Sequence, residues 1–360
     1  MIDQVKTRQV LRLLFWESTI RCNLACAHCR RIESDETAYL DLSTSNAEDL
    51  IEQLAMLGRN QSFMPVLVFS GGEPLCRKDI FELIKTAKSQ GLTPALATNG
   101  TLIDANIADQ ILNSGVMRVS VSLDGATSEV HNRLRRLEGS FERAIEGIGY
   151  LRERDIPFQI NMTLTRHNAH QLNDIYVLAK SLGAVAVHIF MLVPVGCGIS
   201  LPDTEMLSPE QYEQKMLEIY NLDSKCELQL KVTCGPHYER VKKQERASSD
   251  IKSNHGIKHV NSKGCLAGLG VLFVSHQGDI FPCGYLPIKC GNVLEDKLSD
   301  VWYESKDLAR MRNTNELEGK CGACGYRQIC GGCRGRAYSA TGNYMAEEPF
   351  CAYVPPEAVL

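Results

Sequence analysis

Fifteen cysteines in 360 residues are what first asks for a chemical explanation. No export signal precedes them, so they are not read as a disulfide framework, because the cytosol keeps thiols reduced. Metal or redox chemistry is the expectation. The first group, Cys22-Asn23-Leu24-Ala25-Cys26-Ala27-His28-Cys29, puts three thiols in one short segment. A cubane iron–sulfur cluster has four irons, so three protein ligands leave one iron open to a small molecule, as an open position marks a catalytic metal. Zinc on these cysteines plus His28 competes, but His28 adjoins Cys29 and closes a tetrahedron with it poorly. A second group reads Cys321-x2-Cys324-x5-Cys330-x2-Cys333-x17-Cys351, with Cys265 and Cys283 upstream. A zinc ribbon would separate its paired cysteines by roughly 15–20 residues, far more than the spacer here. Cys76 and Cys226 stand alone and read as buried small apolar residues.

Polar motifs lie between the two groups: Ser70-Gly71-Gly72-Glu73-Pro74, Thr98-Asn99-Gly100 and Ser122-Leu123-Asp124-Gly125. Glycines let a backbone approach a ligand closely, and a carboxylate accepts hydrogen bonds from an ammonium group. Any one of them alone reads as a turn. Together they fall at the ends of successive strands, at Val10–Trp16, Pro65–Ser70, Pro94–Thr98, Arg118–Ser122, Phe158–Leu164 and Val185–Leu192. Helical patterns alternate with these strands at Ser45–Leu57, Asp79–Ser89, Asp104–Asn113, Phe141–Glu153 and Gln171–Ser181. The rhythm predicts an α/β fold, a partial (β/α)6 TIM-like barrel with its chemistry at the carboxyl ends of the strands. Residues 10–200 form this barrel and 201–260 a bridging region with a helix at Pro209–Tyr220, a strand at Glu227–Val232 and a polar linker from Arg246 to Lys263. A cysteine-rich iron–sulfur domain occupies 261–360 and needs ligation to hold it together.

The net charge of −4 is spread along the chain, which argues against nucleic acid and anionic membrane as partners. With no apolar run of roughly 20 residues and no signal core, the expectation is a cytoplasmic enzyme.

The three-cysteine spacing, with its companion motifs in order, resembles the radical SAM superfamily over about residues 10–200. The resemblance implies that Cys22, Cys26 and Cys29 hold a [4Fe-4S] cluster that binds S-adenosylmethionine (SAM). It implies that Gly71, Gly72 and Glu73 meet the methionine amine, and that Asn99, Ser122 and Asp124 serve the ribose and carboxylate. Arg135 matches a carboxylate-binding arginine, with Arg133 and Arg136 close enough to leave that choice open. The last hundred residues resemble the SPASM domain, which carries auxiliary iron–sulfur clusters. Its interleaving assigns Cys321, Cys324, Cys330 and Cys351 to one auxiliary [4Fe-4S] cluster and leaves Cys265, Cys283 and Cys333 as a possible second site. The usual spacing of the last pair is three residues and here it is two, and His259 stands where a further cysteine is usual. That second site is open, completed by Cys290 or His259, or absent.

Within the superfamily the chain resembles the heme-synthase branch of the siroheme-dependent pathway. The segments that carry this are Trp16-Glu17-Ser18-Thr19, Met191 to Gly196, Lys231 to Tyr238, Gly264 to Gly268 and Ala346 to Cys351. The resemblance implies oxidative decarboxylation of two propionates of iron-coproporphyrin III to vinyl groups, with an auxiliary cluster as electron acceptor. It also implies a donor such as ferredoxin or flavodoxin. Cys234, His237 and Tyr238 are candidates for contacting the substrate, although a buried thiol and a packed loop explain the first two equally well. A SPASM peptide maturase is the alternative enzyme, disfavoured because only about nine residues precede the first strand; another tetrapyrrole-modifying enzyme is a further one. A plain electron carrier is disfavoured by the SAM-type motifs, which it would not need.

Overall fold

The computed structural model describes residues 9–31, 40–201, 205–224, 227–248 and 263–356. Cys226, His259 and most of the linker expected at 246–263 lie outside the described residues. Seven strands follow one another in parallel: β1 (Leu13–Thr19), β2 (Val66–Gly71), β3 (Thr93–Thr98), β4 (Arg118–Ser122), β5 (Phe158–Leu164), β6 (Ala186–Met191) and β7 (Gln229–Thr233). In β3 and β4 buried residues alternate with part-covered ones, the period of two that a strand imposes. Leu14, Trp16, Leu67, Phe69, Leu96, Val119, Ile160 and Ile189 are all fully buried.

The covering helices are α1 (Thr44–Asn60), α2 (Ile80–Ser89), α3 (Ala105–Ser114), α4 (Ser128–Arg135), α5 (Ser140–Glu153) and α6 (Leu172–Ser181). Their starts are set by side chains that take up otherwise unpaired amide groups. Ser43 accepts from Asn46 N–H and Asp104 from Ile107 N–H. Two further helices, α7 (Pro209–Asp223) and α8 (Tyr238–Ser248), flank β7. Helix α7 opens with a reciprocal pair in which Ser208 and Gln211 each cap the other's backbone N–H. Helix α8 was not evident in the sequence because its buried face includes Arg240, whose charge hides the apolar stripe; an ion pair with Glu213 makes that burial tolerable.

The carboxyl-terminal region continues the same sheet. Strand β8 (Val271–Val274) runs parallel to β1 on its free side, and β9 (Asp279–Phe281) and β10 (Gly291–Asn292) extend it antiparallel. The observed order is β10-β9-β8-β1-β2-β3-β4-β5-β6-β7. Short helices α9 (Leu298–Glu304), α10 (Lys306–Arg312), α11 (Gly319–Ala323) and α12 (Arg334–Thr341) complete the chain. Trp302 is fully buried and its indole N–H donates to the Gln9 carbonyl at 3.0 Å, which ties α9 to the residues ahead of β1.

Strand β1 starts three residues later than its apolar run. The Gln61 side chain donates to the Leu11 carbonyl and accepts from the Leu11 amide, at 2.7 and 3.0 Å, and so replaces a strand partner there. Among the described residues no helix is long and apolar enough to cross a membrane.

Candidate active site

Cys22, Cys26 and Cys29 occupy the loop after β1, at the carboxyl edge of the parallel strands. Leu24 N–H donates to Cys22 Sγ at 3.4 Å and an Arg135 guanidinium N–H to Cys26 Sγ at 3.7 Å. Ala27 N–H donates to the Leu134 carbonyl at 2.9 Å, tying the loop to the end of α4. Burial raises the Cys22 thiol to about 12 and raises Cys26 as well. Thiols in this state stay protonated until a metal displaces the proton. His28 is turned away from them, with Nε2 at 3.3 Å from Asp124 Oδ2. Burial drives its pKa down to about 4, so it is a neutral partner of Asp124. The segment after β6 closes over the loop: a Cβ on Gly196 would lie 2.1 Å from the Arg30 carbonyl oxygen.

Glu73 is wholly buried, and its carboxylate is held from three sides. Oε1 accepts from Thr98 Oγ1 at 2.8 Å and Leu75 N–H at 3.2 Å, and Oε2 from Asn99 N–H at 2.8 Å. Burial nevertheless pushes the carboxyl up to about 7 against these donors. An ammonium group presented to it would be bound strongly, because it would restore the charge that burial suppresses. Gly71 and Gly72, assigned in the sequence to ligand approach, also stand tightly against the chain's own backbone. A Cβ on Gly72 would stand 2.3 Å from the Arg21 carbonyl oxygen, and one on Gly71 2.3 Å from that of Thr19. Asn99 reaches across to the cysteine loop, donating to Asn23 Oδ1 at 2.9 Å.

Asp124 and Arg135 form the third side. Asp124 Oδ2 lies 2.8 Å from Arg135 Nη2, and Oδ1 accepts from Thr163 N–H at 2.8 Å. Burial would raise the Asp124 carboxyl, but the Arg135 guanidinium beside it outweighs that and holds it below its usual value. Arg135 Nε is buried with no hydrogen-bond partner among the described residues. Of the three arginines, Arg135 is the one beside the cysteines; Arg133 is exposed and approaches Glu205 at 3.8 Å. Ser122 ends β4, opposite Asn161 on β5.

The second group divides in two. Cys321, Cys324, Cys330 and Cys351 line one cavity together with His237, Arg240 and Lys320. Both ring nitrogens of His237 are buried without a partner among the described residues. Four soft thiol donors and an orphaned imidazole fit an iron–sulfur cluster, whose sulfurs accept hydrogen bonds. Cys265, Cys283 and Cys333 lie apart, at the turn before β8, after β9 and at the start of α12.

Between the two sets runs a feature the sequence did not reveal, the buried pair Arg336–Glu348, joined at 2.9 and 3.0 Å. Glu348 also accepts from Cys333 N–H at 2.7 Å, while its own N–H donates to Cys321 Sγ at 3.3 Å. Charged residues in a turn-rich segment carry no sign of burial, so no pattern marks this pair. Tyr238 directs its hydroxyl to Asp223 Oδ2 at 3.2 Å. Cys76, expected as a buried apolar residue, is only partly covered. Among the described residues no three His, Cys, Asp or Glu side chains stand close enough to share one metal ion. Thiolates around a four-iron cube each bind a different iron and stand farther apart.

Residues 16–179 match the sequence family described as the radical SAM superfamily, and 265–325 match the iron–sulfur cluster-binding domain known as SPASM. The chain is 43% identical to the AdoMet-dependent heme synthase of Methanosarcina barkeri, over 96% of this chain and 97% of that one. It is 42% identical to the AdoMet-dependent heme synthase of Nitratidesulfovibrio vulgaris, over 96% of this chain and 93% of that one. The chain belongs to the radical SAM superfamily. Its fold agrees: the crystal structure of Streptococcus suis SuiB bound to S-adenosylmethionine superposes with a TM-score of 0.74 at 18% identity, covering 96% of this chain and 78% of that one. As a radical SAM enzyme with a SPASM region, the chain uses [4Fe-4S] clusters and SAM.

Proposed function

We propose that this radical SAM enzyme is a heme synthase, converting two propionate side chains of iron-coproporphyrin III into vinyl groups. The observation that carries the reading is the identity of 43% and 42% to two AdoMet-dependent heme synthases along nearly the whole of each chain. Each propionate would give up a hydrogen atom, carbon dioxide and one electron. When bound, SAM and its cluster supply a carbon radical able to take hydrogen from an unactivated carbon. The chain's own residues supply position and dryness. Cys22, Cys26 and Cys29 hold the cluster and leave one iron free, and Glu73 receives the ammonium of SAM. Asn99, Ser122, Asp124 and Arg135 form the polar wall for the ribose and carboxylate. Cys321, Cys324, Cys330 and Cys351 hold an auxiliary cluster. No protein acid or base is required, because the hydrogen leaves as an atom and the carboxyl group as carbon dioxide.

The test is anaerobic turnover with SAM, a low-potential reductant and iron-coproporphyrin III, followed by mass spectrometry. Loss of two carboxyl groups per porphyrin, with 5′-deoxyadenosine formed alongside, is the expected result. An unchanged porphyrin while SAM is being cleaved would end the heme reading and leave the radical SAM assignment intact.

A further inference from the structure

Cys234, singled out in the sequence as a possible substrate contact, has close neighbours of another kind. It follows β7 at the barrel wall, with a left-handed φ of 58°, a state that a non-glycine residue keeps only where its surroundings impose it. One backbone contact joins its turn to the segment bearing Cys265, and two more join the segments bearing Cys265, Cys283 and Cys333 to one another. A Cβ on Gly264 would stand 2.5 to 2.6 Å from the oxygen, Cα and Cβ of Pro236, so residues 234–236 and 264–265 lie backbone against backbone. Gly268 N–H donates to the Pro282 carbonyl at 3.2 Å, bringing the Cys265 turn to the end of β9. A Cβ on Gly335 would meet the Tyr285 carbonyl oxygen at 2.9 Å, which sets the start of α12 on the residues after Cys283.

We propose that Cys234, Cys265, Cys283 and Cys333 form a second four-thiolate iron–sulfur site, with Cys234 as the ligand supplied by the barrel. The electrostatics agree with the geometry. Burial raises the Cys234 thiol well above its ordinary value, and negative charge on Cys333, Cys283 or Cys265 raises it further. Cys283 responds in turn to Cys265 and Cys333, and Cys333 to Cys265. Cys290 belongs to a different neighbourhood. Its thiol donates to the Ile288 carbonyl at 3.5 Å, and the polar groups around it are Ser305, Asp307 and Arg312.

The consequence is chemical. With three cysteines this site would keep an iron open to substrate; with Cys234 it is closed, and its role is to hold and pass an electron or to brace the fold. Cys234 is then a cluster ligand. The proposal rests on the chain binding iron–sulfur clusters and is independent of which substrate it acts on.

The test measures iron and acid-labile sulfide in full-length protein reconstituted anaerobically without substrate, with electron paramagnetic resonance of the reduced form. Wild type should hold about twelve irons, four for each of three clusters. Cys234→Ala and Cys265→Ala should each lose the same resonance and up to a third of the iron, and the double variant should lose no more than either alone. Cys290→Ala should match wild type, and Cys234→Ala with Cys351→Ala should lose about two thirds. Cys234→Ser, which keeps an oxygen donor in place, should retain iron with shifted g values and covers the case in which alanine prevents folding. Full iron and an unaltered spectrum in both Cys234 variants would overturn the proposal. So would zinc in place of iron at this site in the wild type. Failure of the porphyrin reaction, by contrast, would leave these measurements unchanged.

Discussion

Glu348→Ala should be the most damaging single substitution outside the cysteines, and its size can be worked from the pair it breaks. Glu348 and Arg336 are both buried and share two hydrogen bonds. Burial alone would raise the Glu348 carboxyl, yet Arg336 holds it down from 4.5 to about 2. At 1.36 kcal/mol per unit, a depression of about 2.5 units corresponds to roughly 3 kcal/mol. Breaking a buried pair and stranding the arginine independently predicts about 3–5 kcal/mol. With roughly 2.1 cal/mol/K of unfolding entropy per residue, 360 residues convert 3 kcal/mol to a Tm drop of roughly 4 °C. The carboxyl is depressed in the fold, so its contribution is complete above pH 4.5 and is lost as pH falls towards 2. The measurement is thermal unfolding of the reconstituted protein by circular dichroism, with cluster absorbance followed in parallel. Glu348→Gln should lose less, because its amide oxygen can still accept from Cys333 N–H. Arg336→Met combined with Glu348→Leu should recover part of the loss, since no charge is then left stranded. If Glu348→Ala melts within a degree of wild type with its iron intact, the pair contributes nothing and the reasoning fails.

Three further outcomes are expected. Cys22→Ala, Cys26→Ala or Cys29→Ala should each abolish 5′-deoxyadenosine formation while most of the iron remains, and normal SAM cleavage by any of them would remove that loop from the chemistry. Because burial holds the Glu73 carboxyl near pH 7, SAM should bind about tenfold more tightly at pH 8 than at pH 6 as the group ionises. Glu73→Gln should flatten that profile, and an unchanged slope in isothermal titration would assign the titration to another group. Gly72→Ala would force a Cβ to 2.3 and 2.6 Å from the Arg21 and Ile20 carbonyl oxygens, so SAM affinity should fall at least tenfold; wild-type binding would show that the loop can retreat.

The barrel was legible in the sequence because short strand patterns alternate with amphipathic helical ones at a regular rhythm along the chain. Arg118–Ser122 and Phe158–Leu164 coincide with β4 and β5. The first cysteine loop was legible for a related reason, since spacing within a short segment survives folding unchanged. What could not be read was the joining of distant segments that no recognised motif marks. Nothing near Cys234 in the chain announces Cys265, and nothing about Arg336 announces Glu348. Helix α8 escaped for the same reason, its buried arginine being neutralised by a glutamate on another helix. Local chemistry was visible, and chemistry assembled by loop packing was not.

The pairing of β1 with β8 also bears on how the chain comes to be folded. Leu13 pairs with Val271, so the strand made early waits for a partner made late. At ribosomal speeds of about 5–20 residues per second, the interval is roughly 10–50 s. Throughout that time β1 has one open edge, the kind of surface that recruits strands from other chains. Non-local closure of this sort is slow even after synthesis ends. The cysteine loop that follows β1 is therefore on display to oxidants and stray metals before β8 arrives beside it, and the order of cluster insertion and sheet closure becomes a matter of timing in the cell.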